Sequence, residues 1–358
     1  MENKEGGFFK VTGVMSGTSL DGIDFAACVF SEDHGEWNFR IEHATTYAYS
    51  AMWKNKLKSL FNAAANDLAK THFDYGKLIG MLSKQFHQET GFDPYFISSH
   101  GHTIFHDPAN GYTTQIGSGA AIATAASKPV VCDFRANDIC LGGQGAPLVP
   151  IGDKLLFGKY DACLNLGGFS NISLDSGNKR IAFDICPVNT VLNLLSNKIN
   201  LDYDKDGKTA RQGRIIDDIL KQMNSLPYYT GPIPKSLGTE WLNQNFLQFL
   251  NNYNTVPDLL RTITEHIAIQ ISDVLTNFEI RKTLITGGGA YNKFLIERLK
   301  SLSHSEFIIP DNQIIDIKEA LIFAFLGLLR WKGEVNCLAS ATGAREDNIG
   351  GAIYLPLK

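Results

Sequence analysis

The stretch that decides the fold lies near the amino terminus and reads VTGVMSGTSLDGID from Val11 to Asp24. An apolar run over 11–15 predicts a short buried strand, small and hydroxylated residues follow at 16–19, and a second apolar run covers 25–30. At such a turn, glycine lets the backbone approach a phosphate, and a nearby carboxylate can hold Mg²⁺ through water. An ordinary hairpin turn uses the same residue types, so this segment alone leaves both interpretations open.

Composition and charge narrow the class of protein. The chain has 358 residues, of which 44% are hydrophobic, enough for a large core and two domains with a cleft between them. The net charge is −4 and no block of Lys and Arg occurs, which argues against nucleic acid and anionic membranes as partners and favours small molecules.

Two further features indicate the compartment. The first ten residues, MENKEGGFFK, contain no apolar signal core, and apolar stretches are interrupted before the roughly 18 residues of a membrane span. The six cysteines are scattered, mostly in apolar runs and never as CxxC, which is typical of buried thiols in a reducing compartment. We therefore expect a soluble, cytoplasmic protein.

The second half of the chain repeats the plan of the first. Residues 37–49 predict a third strand after the opening hairpin. Further along, strands at 161–166 and 172–175 flank the tight turn Gly167-Gly168-Phe169-Ser170-Asn171, and 180–185 predicts another third strand. Two such units indicate a duplicated domain whose two hairpins could hold one polyphosphate from opposite sides.

Helical spacing of apolar residues completes the outline. It predicts helices at 52–91 with a break near 71–75, 119–127, 188–199, 240–252, 257–278 and 317–331, the last with Glu319 in its first turn.

Three glycines, Gly287 to Gly289, follow the predicted buried strand 283–286. They let a flat ring lie against the backbone, and the next helix, from Asn292, presents its positive end there. A closely packed turn between strand and helix is the alternative.

Two polar stretches of the first half could also carry chemistry. In HGHTIFH, the spacing of His100 and His102 places both rings on one face of a strand, which suits a metal. No acidic ligands follow at short range, so a substrate-facing role for His102 is favoured. The Gly-rich connector 135–150 suits a flexible linker, but Arg135, Asp138 and Gln144 supply hydrogen-bonding groups unlike a plain spacer.

Eight motifs, taken together and in order, indicate more about the fold and the function than any one of them does alone. The motifs are VMSGTSLDGID, SHGHTIFH, DFRANDICLGGQGAPLVP, LNLGGFSNISL, YDKDGKTARQG, PKSLGTEWL, ITGGGAYN and ATGA. In this order the set resembles the anhydro-N-acetylmuramic acid kinases, members of the actin, sugar-kinase and Hsp70 superfamily.

The resemblance implies an α/β protein with the two-lobed actin-like (ribonuclease H-like) ATPase fold, in which duplicated mixed five-stranded sheets with helices flank a central cleft. The lobes would be 1–135 and 136–358, with the tail able to pack back on the N-terminal lobe. The implied reaction uses ATP and Mg²⁺ to phosphorylate O6 of 1,6-anhydro-N-acetylmuramic acid while water opens the anhydro bridge. It yields N-acetylmuramic acid 6-phosphate and ADP during peptidoglycan recycling. A homodimer is also implied.

The resemblance also implies site residues. ATP phosphates would be held by Gly17, Thr18, Ser19, Leu20, Asp21, Gly22, Ile23 and Asp24 in one lobe and by Gly167, Gly168 and Asn171 in the other, with adenosine at Gly287, Gly288 and Gly289. Asp184 would activate the attacking water, and Asp21 would hold Mg²⁺ through water. His102, Arg135 and Glu319 would contact the sugar.

The chain departs from the family pattern after the third strand of the second half. A segment like Tyr-Asp-Thr-Gly-Pro-Gly-Asn is expected there, whereas this chain reads FDICPVN from Phe183 to Asn189. Ser118 also stands where a carboxylate is frequent, and His102 where glutamine is frequent. A kinase of another anhydrosugar, a nucleotide-binding regulator and a metal hydrolase built on the histidines remain alternative hypotheses.

Overall fold

A computed structural model describes residues 7–17, 20–250 and 255–356. Thr18 and Ser19 of the predicted phosphate turn lie outside the described residues. The chain divides into two compact units, Met1–Phe157 with Ile317–Lys358, and Gly158–Asp316.

This division differs from the predicted boundary at residue 135. The connector and the residues that follow it up to Phe157 contact the carboxyl-terminal part of the chain. The backbone N–H of Gln144 donates to the Thr342 carbonyl, and a side chain on Gly152 would lie 2.7 Å from Ile322. These contacts hold the connector to the carboxyl-terminal part of the chain. The connector and that carboxyl-terminal part therefore both belong to the first unit.

The described residues form thirteen strands. They are β1 (Phe8–Met15), β2 (Gly22–Asp33), β3 (Glu36–Ala48), β4 (Phe96–Ser99), β5 (His102–Asp107), β6 (Tyr112–Ile116), β7 (Val130–Cys132), β8 (Ala162–Leu166), β9 (Phe169–Ser176), β10 (Lys179–Pro187), β11 (Lys282–Thr286), β12 (Glu306–Ile308) and β13 (Ala352–Tyr354).

The two large sheets share one topology. The first has the order β13-β7-β4-β1-β2-β3 and the second β10-β9-β8-β11-β12. In each, three consecutive strands pair antiparallel and two later strands add in parallel. The first sheet exceeds the predicted five strands because β13 pairs antiparallel with β7 at its edge. The repeated order confirms the predicted α/β class and duplicated plan.

The α-helices of the described residues are α1 (Ala51–Ser59), α2 (Ala65–Thr90), α3 (Gly119–Ala126), α4 (Ala136–Cys140), α5 (Val149–Leu156), α6 (Asn189–Asn197), α7 (Lys208–Gln212), α8 (Asp217–Asn224), α9 (Pro227–Thr230), α10 (Thr239–Trp241), α11 (Val256–Asn277), α12 (Lys293–Leu302), α13 (Asn312–Lys332) and α14 (Ala339–Thr342).

Three helix predictions are wrong in detail. The break expected near 71–75 lies at 60–64, because Thr71 and Tyr75 are buried and keep α2 continuous against the core. The helix expected at 240–252 is instead α10 followed by a π-helix (Leu242–Phe246) and a 3₁₀-helix (Leu247–Leu250). Helix α13 begins at Asn312, so Glu319 lies beyond its first turn.

Each unit has its own apolar core. In the second unit, the predicted apolar face of α11 is buried, and its residues Leu260, Ile263, Ile267, Ile271 and Leu275 join one hydrophobic cluster. In the first unit, the cluster includes Val14, Ile23 and Phe25 of the opening hairpin.

All six cysteines are free thiols, and five of them are buried. Within the described parts of the chain, no helix has both the length and the apolar character needed to cross a bilayer.

Candidate active site

The opening hairpin forms as predicted, and its turn presents one carboxylate to solvent. Strands β1 and β2 pair from Phe8↔Ser31 to Met15↔Asp24. Leu20 adopts a φ of 60°, and Asp21 next to it is exposed, with its carbonyl accepting a hydrogen bond from the Tyr49 N–H. Gly17 is half-buried in the same turn.

Packing explains three other residues predicted to bind ATP. Ile23 is completely buried in the first core. A side chain on Gly22 would lie 2.6 Å from the Tyr47 carbonyl oxygen, so only glycine fits there. Asp24 Oδ1 accepts a 2.6 Å hydrogen bond from Thr46 Oγ1 on the neighbouring strand. These positions build the hairpin that carries the turn.

Arg135 is held by two hydrogen bonds within the first unit. Its Nε donates to His100 Nε2 at 3.0 Å and its Nη1 donates to the Gly145 carbonyl at 2.6 Å. Burial lowers the pKa of Arg135 to about 10, so the guanidinium stays charged near neutral pH. Burial and this neighbouring charge hold the pKa of His100 well below its usual range. His100 is therefore a neutral acceptor that orients Arg135.

Glu319 interacts electrostatically with two other predicted site residues of the same unit. Desolvation by the surrounding protein and the negative charge of Asp24 raise the pKa of Glu319, and the positive charge of Arg135 opposes this rise. The side chain nevertheless retains an open surface, so solvent reduces the effect of desolvation. The structure thus brings Asp24, Arg135 and Glu319 together within the first unit.

His102 is less accessible than a substrate contact requires in this conformation. Only 4% of the residue is exposed, its ring lies 6.2 Å from that of Tyr75, and its Nδ1 has no partner among the described residues. Its substrate-facing role stays a prediction.

The metal hypothesis for HGHTIFH finds no supporting geometry. Both nitrogens of His100 are engaged, Nδ1 with the Gly101 carbonyl at 2.8 Å and Nε2 with Arg135. In the described ranges, no three His, Cys, Asp or Glu residues are grouped so as to hold a metal ion.

The second hairpin is fixed to the start of α6. The Gly168 carbonyl accepts hydrogen bonds from the N–H groups of Val188 at 2.8 Å and Thr190 at 3.2 Å, and the Gly167 carbonyl accepts one from Asn189 at 3.2 Å. A side chain on Gly168 would lie 2.7 Å from Thr190 Oγ1. The turn between β8 and β9 therefore depends on glycine and on a helix 20 residues further along the chain.

The three glycines after β11 meet this hairpin at the carboxyl end of β8. Gly287 has a φ of +81°, and a side chain on it would lie 2.4 Å from Asn165 Oδ1. Asn189 Nδ2 donates to the Leu166 carbonyl at 3.0 Å. The predicted phosphate turn and the predicted adenosine turn of the second unit are thus adjacent, because β8 and β11 are neighbours.

Asn165 and Asn189 were not predicted as site residues. The sequence offered one signal for them, because each is a polar amide at the carboxyl end of a buried apolar run. Asn165 lies in LNLGG and Asn189 in CPVN.

Asp184 lies on β10 opposite Asn171 of β9, and a bulge follows it before Cys186. Its side chain is half-buried, and Oδ2 accepts a 2.8 Å hydrogen bond from the Leu237 N–H. Burial raises the pKa of Asp184, and the Leu237 N–H opposes this shift. A raised pKa makes the ionised carboxylate a better proton acceptor.

Comparison with known proteins identifies the family. The family model described as anhydro-N-acetylmuramic acid kinase matches residues 9–356. The chain belongs to this family. The family's curated relatives include an anhydro-N-acetylmuramic acid kinase from Sulfurovum sp. (strain NBC37-1), 34% identical over 368 residues that cover 99% of this chain and 100% of the relative. Another is that from Francisella tularensis subsp. novicida (strain U112), 35% identical with coverage of 95% and 97%.

Among solved structures, the activator of the 2-hydroxyisocaproyl-CoA dehydratase from Clostridium difficile with bound ADPNP is 13% identical, with a TM-score of 0.46 over 91% of this chain and 96% of that one. Family membership confirms the predicted kinase activity and the predicted use of ATP.

Proposed function

We propose that the chain transfers the γ-phosphoryl group of ATP to O6 of 1,6-anhydro-N-acetylmuramic acid while water adds at C1. The products are N-acetylmuramic acid 6-phosphate and ADP, as in recycling of peptidoglycan. The observation that carries this proposal is the family match over residues 9–356. The regulator and metal-hydrolase hypotheses have no comparable support.

In the proposed mechanism Asp184 is the general base. The water oxygen bonds to C1 as the bond from C1 to O6 breaks, and the proton released by water passes to Asp184. O6 bonds to the γ-phosphorus as the bond between that phosphorus and the oxygen bridging it to the β-phosphate breaks, so that ADP leaves. The raised pKa of this carboxylate favours its acceptance of the proton once ionised. The turns at Gly17 and at Gly167-Gly168 would donate backbone N–H groups to phosphate oxygens.

The residues of the first turn fit Mg²⁺. This ion usually takes one or two carboxylates, with waters and substrate phosphates completing its shell. Asp21 supplies an exposed carboxylate that could bind it through water, whereas Asp24 is engaged by Thr46. When bound, Mg²⁺ would neutralise charge on the phosphate oxygens.

For the sugar, Arg135 and Glu319 offer a charged donor and an acceptor within one unit. The buried free thiols support a cytoplasmic setting. A homodimer stays a prediction.

The test is a turnover assay in ¹⁸O-labelled water with mass-spectrometric detection of sugar products. The wild type should place label at C1, and Asp184→Asn should abolish turnover while ATP still binds. Asp218→Asn, an exposed carboxylate of the same unit, is the control and should keep wild-type turnover. Undiminished turnover of Asp184→Asn would refute the base assignment, and a wild type that forms no sugar phosphate would refute the reaction.

A further inference from the structure

A single segment, residues 228–237, bonds Asp184 at three of its polar groups. The Asp184 N–H donates to the Lys235 carbonyl at 2.9 Å, and the Asp184 carbonyl accepts from the Tyr228 hydroxyl at 2.7 Å. The carboxylate Oδ2 accepts from the Leu237 N–H at 2.8 Å. We infer that segment 228–237 holds the Asp184 carboxylate in the orientation for proton transfer, and that Tyr228 is a positioning residue. This inference rests on the proposed role of Asp184 as the base.

The segment is closed upon itself by Lys235. Its Nζ donates to the carbonyl of Tyr228 at 2.8 Å and to that of Tyr229 at 3.2 Å, and it lies 4.7 Å from the centre of the Tyr228 ring. Carbonyls at the end of a short helix lack helical partners, and an ammonium group satisfies them. The Lys235 side chain therefore links the end of the segment to its start at Tyr228 and Tyr229. The backbone carbonyl of the same residue accepts the hydrogen bond from the Asp184 N–H.

A buried polar chain anchors the segment to α11. The Tyr229 hydroxyl pairs with His266 Nε2 at 2.8 Å, and His266 Nδ1 pairs with Asn224 Oδ1 at 2.6 Å. Because an amide oxygen only accepts, His266 donates from Nδ1 and accepts the Tyr229 hydroxyl at Nε2. His266 has no exposed surface, and Gln270 also donates to Asn224 Oδ1 at 3.0 Å. The position of the segment is thus set by the core.

The two oxygens of the Asp184 carboxylate are consequently different. Oδ2 is fixed by a backbone N–H, whereas Oδ1 has no hydrogen-bond partner among the described residues. Fixing one oxygen limits rotation of the carboxylate, which leaves Oδ1 as the oxygen that takes the proton from water. Ile185 and Cys186, which follow Asp184 where the resemblance led us to expect threonine and glycine, are both buried.

Tyr228 allows a clean test because its ring and its hydroxyl have separate contacts. The ring packs against Trp241 with a centroid distance of 5.2 Å, and Tyr228→Phe keeps that packing while it removes the bond to Asp184. Small misplacement of a reacting group lowers rates by up to about 100-fold, so we expect kcat to fall roughly tenfold with little change in KM for ATP. Tyr95→Phe, at an exposed tyrosine of the first unit, is the matched loss of a hydroxyl and should leave kcat unchanged.

A second pair of variants tests the bond to Oδ2. Leu237→Pro removes the N–H that stabilises the ionised carboxylate, so the pKa of Asp184 rises and the acidic limb of the kcat profile moves to higher pH. Leu237→Ala keeps the N–H and should keep the limb at its wild-type position. Circular dichroism verifies folding of each variant, and Tyr228→Phe decides the matter alone if Leu237→Pro does not fold.

Wild-type kcat in Tyr228→Phe, or coincident acidic limbs for Leu237→Pro and Leu237→Ala, would overturn the inference. Loss of turnover in Asp184→Asn together with either of those results would leave the base assignment standing. Full activity of Asp184→Asn would instead remove the proposed base.

Discussion

Asp138 offers the sharpest test of how the first unit is held together. Its carboxylate is completely buried. Oδ1 accepts hydrogen bonds from Thr342 Oγ1 at 2.8 Å, Asn348 Nδ2 at 2.9 Å and Cys337 Sγ at 3.1 Å, and Oδ2 accepts one from the Gly145 N–H at 2.7 Å. One side chain thus joins the connector to the carboxyl-terminal tail.

The perturbation is Asp138→Asn, which keeps the shape and replaces one acceptor oxygen by an NH₂ donor. If the NH₂ replaces Oδ2, it faces the Gly145 N–H, and if it replaces Oδ1, it faces the Asn348 NH₂ group. Neither of these donors can accept a hydrogen bond. Losing a bond to a charged group costs about 1.5–3 kcal/mol and a buried unsatisfied donor about 1–3 kcal/mol, so we expect a loss of roughly 3–5 kcal/mol in the free energy of unfolding. For a unit of this size, that lowers Tm by roughly 10 °C.

The assay is differential scanning calorimetry, because two units need not unfold in one transition. Asp33→Asn makes the same change in charge at a side chain that is 82% exposed and serves as the control. A Tm of Asp138→Asn equal to that of the control would refute the reasoning that this buried carboxylate secures the tail.

Two further predictions concern stability. A side chain on Gly13 would lie 2.0 Å from the Ala320 carbonyl oxygen, so Gly13→Ala should force α13 away from β1 and destabilise the first unit by about 3 kcal/mol, and an unchanged Tm in calorimetry would contradict this. Burial lowers the pKa of His266 to about 3 from its ordinary value of 6.5. Between these two pKa values the unfolded chain binds a proton at this histidine and the folded chain does not. The contribution of His266 to stability is therefore complete above pH 6.5 and is lost as pH falls toward 3. His266→Gln should show a shallower fall of Tm over that range than the wild type, and parallel pH profiles would exclude the effect.

Patterns of alternation and spacing predicted most of the elements. The opening hairpin, the second hairpin and the apolar face of α11 follow from runs of a few residues whose period matches the element. In the second unit, Gly168 and the glycines Gly287 to Gly289 follow the carboxyl ends of β8 and β11, which are neighbouring parallel strands.

Other features depend on partners that no local pattern contains. Helix α2 continues through 71–75, where a break was predicted, because Thr71 and Tyr75 are buried. The segment from Thr239 to Leu250 changes between three helix types instead of forming one regular helix. The hydrogen-bond partners of Asp184 come from residues 228–237, where no strand or helix was predicted.

The sequence by itself determined most of the elements, the duplicated order of strands and the family, because these follow from short-range periodicity and from motifs in a fixed order. The tertiary structure decided where the connector and the tail belong, since Asp138 binds residues 199 to 210 positions away. It also decided how Asp184 is oriented, because its partners reach it from 44 and 53 positions along the chain. Burial of a polar group is stable only when such distant donors converge on it, and that convergence exists only in the folded chain.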